Sequence, residues 1–158
     1  MPTKKNKLRL IGRREFVDFP LLGIYNIEAK IDTGAYTSSI HCDDISIINE
    51  NDKPILNFVI TQDDKQLQKI QRFEEFTQKK IKNSFGEMEE RYIIKTLIVI
   101  GKKKIRSTLS LSNRDGMRYP VLIGRKLVKG KFLIDTDQIH TGGKSINEEL
   151  IKLTQANK

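Results

Sequence analysis

The sequence predicts an all-β fold, a small single-lobed barrel or sandwich, and three observations carry that prediction. Its apolar runs are short, β-branched and alternating, as strands that bury one face require. Gly, Pro, Asn and Asp punctuate these runs at turn positions, leaving no room for the longer helical segments of βαβ units. A chain of 158 residues is one domain with a real core, too short for two lobes.

Each element follows in order. Residues 1–7 read as a basic disordered tail, and residues 8–140 as the domain. "YNIEAKID" (Tyr25–Asp32) alternates, with Ile27, Ala29 and Ile31 on one face, and breaks at Gly34. "PILNFVI" (Pro54–Ile60) is a second strand. "QLQKIQRFEEFTQKKI" spaces Leu67, Ile70, Phe73 and Phe76 by threes, a weak helical stripe that suits a twisted strand or a lid equally well. "YIIKTLIVIG" (Tyr92–Gly101) and "IRSTLSLS" (Ile105–Ser112) make a hairpin, with Gly101 to Lys104 as its turn. "YPVLIG" (Tyr119–Gly124) is a short buried strand, followed by a short helical pattern in "RKLV" and a strand in "KFLID" (Lys131–Asp135). Residues 141–158 form a tail. In it Ser145 precedes Glu148 by three, a capping box, and Ile146, Leu150, Ile151 and Leu153 suit a short terminal helix.

Composition narrows the functional classes. No run of 18 apolar residues exists, so no membrane span is expected. "MPTKKNKLRL" lacks the apolar region and cleavage site of a signal peptide, and the single Cys42 fits a reducing compartment, so the expected location is the cytoplasm. The net charge is +9, which suits nucleic acid, an anionic surface or an acidic peptide as partner. No recognition helix, zinc finger or aromatic platform accompanies the lysines, so nucleic acid is not the expected partner.

The triplet Asp32-Thr33-Gly34 ends an apolar strand, "AKI", and is followed by small polar residues, "AYTSSI". Far downstream comes "PVLIGRKLV", two apolar residues followed by Gly124 and Arg125. An apolar strand ending in Asp-Thr-Gly-Ala, paired with a distant apolar-apolar-Gly-Arg, resembles the retropepsins, the single-lobed aspartic proteases. Together with "GRREFVDFPLLGI", "KNSFGEMEERYIIKT" and "LSNRDGMRYPVLIGRKLVKGKFLID", it resembles the RimB-like branch long labelled ATP-dependent zinc proteases. Bacteria often encode these beside ATP-grasp ligases of the RimK type, which add glutamate tails. The resemblance runs from about Ile11 to Asp135 and implies a closed acid-protease barrel, with a short helix after the apolar-apolar-Gly motif, working as a homodimer.

What the resemblance implies can be placed residue by residue. Asp32 is the catalytic carboxylate. Gly34 permits the tight turn, and Thr33 bonds across the dimer axis to the partner loop. Thr37, Ser38, Gly124 and Arg125 support the catalytic loop, with Gly124 allowing one chain to pass close beneath it. Ser84 and Gly86, in "KNSFGE", sit where retropepsins carry a flap. Many relatives have Arg four residues after the catalytic Asp; here that residue is Tyr36, so a basic contact is either missing or supplied from elsewhere.

The chemistry needs two carboxylates, because two aspartates held close share one proton, one activating water while the other donates to the carbonyl. This chain has one Asp-Thr-Gly. "LIDTDQIHTGG" offers Asp135 after an apolar strand, but Asp137 replaces the glycine and no second apolar-apolar-Gly follows. The second Asp32 is therefore expected from a second copy across a two-fold axis. Arg91, Arg114 and Arg118 are candidates for binding an acidic peptide, with surface ion pairs as ready an alternative. "HCDD" (His41–Asp44) and His140 offer ligand types without zinc spacing, and no phosphate-binding glycine loop exists, so neither metal nor nucleotide cofactor is expected. Cys42 has no base partner at a fixed spacing.

The expected function is an aspartic peptidase cutting peptide or isopeptide bonds, with trimming of glutamate-rich tails implied by the resemblance. A catalytically silent module gripping an acidic peptide or protein is the alternative from another class, and a nucleic-acid-binding β-barrel is a third.

Overall fold

The computed structural model describes residues 8–62, 67–82, 85–113 and 118–144. Strands β1 (Arg9–Gly12) and β2 (Arg14–Phe19) lead through a single 3-10 turn at Pro20–Leu22 into β3 (Ile24–Ile31). Then follow β4 (Ser38–His41), β5 (Asp43–Glu50), β6 (Lys53–Gln62), β7 (Leu67–Phe73), β8 (Thr77–Lys82), β9 (Met88–Ile100), β10 (Lys103–Ser112) and β11 (Val121–Ile123). The one-turn helix α1 (Arg125–Val128) and β12 (Phe132–Asp135) complete the order. No helix among the described residues is long and apolar enough to cross a membrane.

The all-β expectation holds, and the barrel is closed. Its strands run in the order β10-β4-β11-β3-β2-β9, and β9 pairs back onto β10 to shut the ring. Closure removes the open edges that a flat sheet would expose. The alternating face of β3 does what its pattern implies: Ile27, Ala29 and Ile31 point into a core with Val17, Ile98, Ile100, Leu109 and Val121. β8 extends the sheet beyond β9, β5-β6-β7 form a separate antiparallel sheet, and β1 lies parallel to β12 as a two-stranded ribbon.

One local reading changes, one open alternative is decided, and several unforeseen strands appear. The turn between β9 and β10 is two residues, Gly101 and Lys102, rather than Gly101 to Lys104. Both have positive φ (55° and 65°), the mirror-image turn whose twist matches the flanking strands, so Lys103 and Lys104 already pair with Ile100 and Val99. The segment with apolar residues spaced by threes is two strands, β7 and β8. Phe73 stacks on Phe58 at 5.8 Å while Phe76 meets Tyr92 edge-on at 6.0 Å, and Ile70 is left 81% exposed, so the stripe never forms one buried face. Strands β1, β2, β4 and β5 carry no strong alternation and appear only through their partners. The basic tail at 1–7 and the terminal helix expected after Ser145 lie outside the described residues.

One buried carboxylate stitches the barrel to the segment after β12. Glu15, 1% exposed at the start of β2, accepts bonds from the Gly12 amide (2.7 Å), the Gly142 amide (3.0 Å), and both the amide and hydroxyl of Thr141 (3.1 and 2.7 Å). Glu15→Ala would leave these donors without their acceptor, at a cost of about 3 kcal/mol. The urea midpoint should drop by about 1 M or more. A midpoint equal to the parent's would show that this docking contributes nothing to stability.

Candidate active site

Asp32 stands where β3 runs out beside β11. The parallel pairing Ile31↔Ile123 carries on for one more bond, from the Asp32 amide to the Ile123 carbonyl (2.8 Å), which fixes the backbone under the carboxylate. Gly34 then turns the chain: its amide donates to Asp32 Oδ1 at 3.1 Å, and the Ala35 amide reaches the Asp32 carbonyl at 3.2 Å. Thr33 and Gly34 are exposed, so the rim of this loop faces outward.

The loop is held from beneath by the end of β11 and by α1. A Cβ on Gly124 would lie 2.6 Å from the Tyr36 carbonyl oxygen and 2.7 Å from the Thr37 carbonyl carbon, so only glycine admits this approach. The Gly124 amide donates to the buried Ser38 hydroxyl (3.0 Å). The Arg125 amide bonds the Ala35 carbonyl (2.8 Å) and the Lys126 amide bonds the Tyr36 carbonyl (3.0 Å). The Arg125 guanidinium bonds the Thr33 carbonyl (2.8 Å) and lies 5.8 Å from the centre of the Tyr36 ring. A basic group therefore does contact the loop, from the helix instead of from position 36. Thr37 contributes its backbone to this packing.

Around Asp32 opens a cleft of about 540 Å³ walled by Arg13, Arg14, Lys30, Arg118 and Tyr119. Arg14 and Arg118 flank Tyr119, each 5.8 Å from the ring centre, and Arg14 also bonds the Tyr119 hydroxyl (3.2 Å). Of the arginines singled out in the sequence, Arg118 is here. Arg91 is elsewhere, paired with Glu89 on β9 at 3.3 Å, and Arg114 lies outside the described residues. Arg13, Arg14 and Lys30 escaped the sequence reading. A signal for Lys30 existed, since it occupies the outward phase of β3 two residues before Asp32.

The flap segment is the tip of the β8–β9 hairpin, whose last pair is Lys82↔Met88. Gly86 sits there with φ +78°, a conformation that favours glycine. Ser84 lies outside the described residues, and among those described none from this hairpin lines the cleft. Asp135 serves its own turn, accepting from the Asp137 amide (2.9 Å) and the Gln138 side chain (2.7 Å), which hold its carboxyl below the usual range.

Among the described residues the side chains do not form a zinc site. His41 pairs with Asp43 and His140 with Glu28, and among the described residues no three His, Cys, Asp or Glu side chains converge on a common point. Cys42 is fully buried, and burial pushes its thiol up to about 12, which suits a core residue and not a nucleophile.

The family model described as RimB-like, "Retropepsin-like aspartic endopeptidase RimB", matches residues 10–143. A probable alpha-L-glutamate ligase of Shewanella halifaxensis is 34% identical over 146 residues, covering 91% of this chain and 32% of the relative. A probable alpha-L-glutamate ligase of Parasynechococcus marenigrum is 30% identical over 143 residues, covering 89% and 31%. The chain thus spans about a third of the length of these curated relatives. The crystal structure of a Legionella pneumophila protein of unknown function matches the fold with a TM-score of 0.68 at 25% identity, covering 86% of this chain and 99% of that one.

Two outcomes test this geometry. Gly124→Val forces a branched side chain against the Tyr36–Thr37 backbone and should cost about 3 kcal/mol or more, or displace the Asp32 loop; an unchanged thermal midpoint would refute the close approach. The second concerns alkaline stability. The folded chain holds the Cys42 proton up to about 12, whereas the ordinary thiol releases it near 9.0. Stability is therefore whole below 9.0 and is lost as pH climbs toward 12. Cys42→Ala should flatten that loss in denaturant titrations between about pH 8 and pH 10.5; equal slopes in parent and variant would contradict a buried thiol.

Proposed function

The chain belongs to the family of RimB-like, retropepsin-like aspartic endopeptidases, and on that premise we propose that it is a peptidase whose active site forms when the Asp32 loops of two copies meet. Each copy brings one carboxylate. Held close, the two cannot both ionise, so they share a proton; one polarises the attacking water and the other donates to the scissile carbonyl. The proton then passes to the leaving nitrogen. The outward rim of the loop, with Thr33 and Gly34 exposed and Tyr36 58% exposed, supports contact with a second copy.

The observation that carries the reading is the company Asp32 keeps: a single carboxylate on a braced loop, in a cleft walled by Arg13, Arg14, Lys30 and Arg118. Such a wall would repel a basic peptide and attract an acidic one. The longer relatives are named for glutamate ligation, which fits glutamate-rich chains as the substrate and hydrolysis of their peptide or isopeptide bonds as the reaction. The β8–β9 hairpin would close over the bound chain and exclude water. A silent module of the same fold would use the cations alone to hold an acidic partner, with Asp32 idle.

Asp32→Asn separates these readings. Turnover of an oligoglutamate or an acidic peptide should fall at least about 10³-fold, with sedimentation and melting unchanged. Activity should decline on both sides of a pH optimum, since the shared proton is lost above it and the single negative charge below it. Hydrolysis that survives Asp32→Asn but is abolished by a chelator and restored by zinc would overturn the mechanism.

A further inference from the structure

A second basic hollow, of about 330 Å³, lies on the barrel wall where β10 meets α1. Its cations come from separate elements: Lys95 from β9, Arg106 from β10, Lys126 from α1 and Lys131 from the turn beyond. The hydroxyls of Ser107 and Thr108 line the floor, and Lys126 is steadied by a bond to Thr108 (3.2 Å). Lys95 and Thr108 are direct cross-strand partners. Among the described residues no carboxylate pairs with any of the four cations. Four positive side chains held together with no counter-charge among the described residues repel one another, an arrangement relieved when an anion enters.

We infer that this hollow is an exosite for the distal part of an acidic peptide, gripping carboxylates of the same chain class whose scissile bond enters the Asp32 cleft. The inference rests on the acidic-substrate reading of that cleft. Its occupant is read as an acidic peptide because the cations suit carboxylates, Ile105 offers an apolar contact, and the neighbouring cleft is read as taking the same chain class. No aromatic ring is present to stack a base. The donors are ammonium and guanidinium groups on long side chains with two hydroxyls, adaptable to an irregular row of carboxylates. The placement adds a reason. Consecutive residues of α1 serve the two sites, Arg125 bonded to the catalytic loop and Lys126 facing the hollow. A chain long enough to reach both would bind by two linked contacts, and its second contact would be favoured by a high effective concentration.

The test uses the full chain carrying Asp32→Asn, so that binding is read without cleavage, and fluorescent oligo-α-L-glutamates of about four and about twelve residues. Lys126→Glu with Lys131→Glu should weaken the longer peptide about tenfold and leave the shorter one unchanged. Lys95→Glu with Arg106→Glu, on exposed strand positions, should do the same, which guards against a helix that simply fails to fold. Equal affinity for the longer peptide in both double variants would overturn the exosite. So would an RNA oligonucleotide of matched charge that binds this hollow more tightly than the peptide. If Arg14→Ala and Arg118→Ala weaken binding while the hollow's variants do not, the exosite falls and the acidic-substrate cleft stands. If the chain binds neither peptide, both readings fall together.

Discussion

At Gly124 two stretches of backbone pass so closely that one added carbon would sit 2.6 Å from a carbonyl oxygen. The rest of the site depends on that absence of side chain. It lets the Ser38 hydroxyl accept from the Gly124 amide, and it brings Arg125 and Lys126 into line to bond the carbonyls of Ala35 and Tyr36. These bonds satisfy backbone groups of a loop that has no regular structure of its own. The carboxylate of Asp32 is thereby held on a rigid mount, the pre-positioning that the proposed peptidase chemistry would require of it. The mount is made of main chain, which explains why so few side chains are needed to build it.

The charge of the molecule takes on a shape once the fold is known. A net +9 spread evenly would be a solubility device and nothing more. Part of it instead gathers in two places, the cleft above Asp32 and the corner beside α1. In the cleft the positive groups are ordered by other contacts, with Arg14 held by Tyr119 and by Glu28 at 4.0 Å. Ordered cations lose less entropy on meeting a carboxylate than free ones do. On the proposed reading, the arginines at the cleft would orient an acidic chain and the cations at the corner would retain it.

How much of this was legible in the sequence depends on the range of the interaction. The alternation in β3, the apolar run of β9 and the glycine punctuation near 101 are local, and they gave the fold class directly. The pairing of Asp32-Thr33-Gly34 with Gly124-Arg125 spans more than ninety residues, yet it was readable because each half has a distinctive local form. Arg13 and Arg14 had no such form. Two arginines after a glycine look like any surface pair, and only the antiparallel pairing of β2 with β3, Arg14 opposite Lys30, brings them to the cleft. Strand β5, "DDISIINE", was hidden because its polar residues disguise a pattern completed by β6, which supplies the buried Ile55, Leu56 and Phe58. The segment of β7 and β8 stayed open between helix, strand and lid because spacing by threes is weak evidence, and only the pairing with β6 and β9 decides for strands.

The ribbon of β1 and β12 sets how this barrel can be wired into longer polypeptides. The strand that opens the described chain lies alongside the one that closes the barrel's sequence, and the Thr141 hydroxyl reaches back to the Leu10 carbonyl at 3.5 Å. The described stretch thus begins and ends on one flank. A domain with neighbouring ends can be spliced before, after or inside another without threading a chain through its core, and could be circularly permuted with a short linker. In relatives about three times as long, such a cassette could be appended with the rim of the Asp32 loop, where Thr33 and Gly34 are exposed, left uncovered.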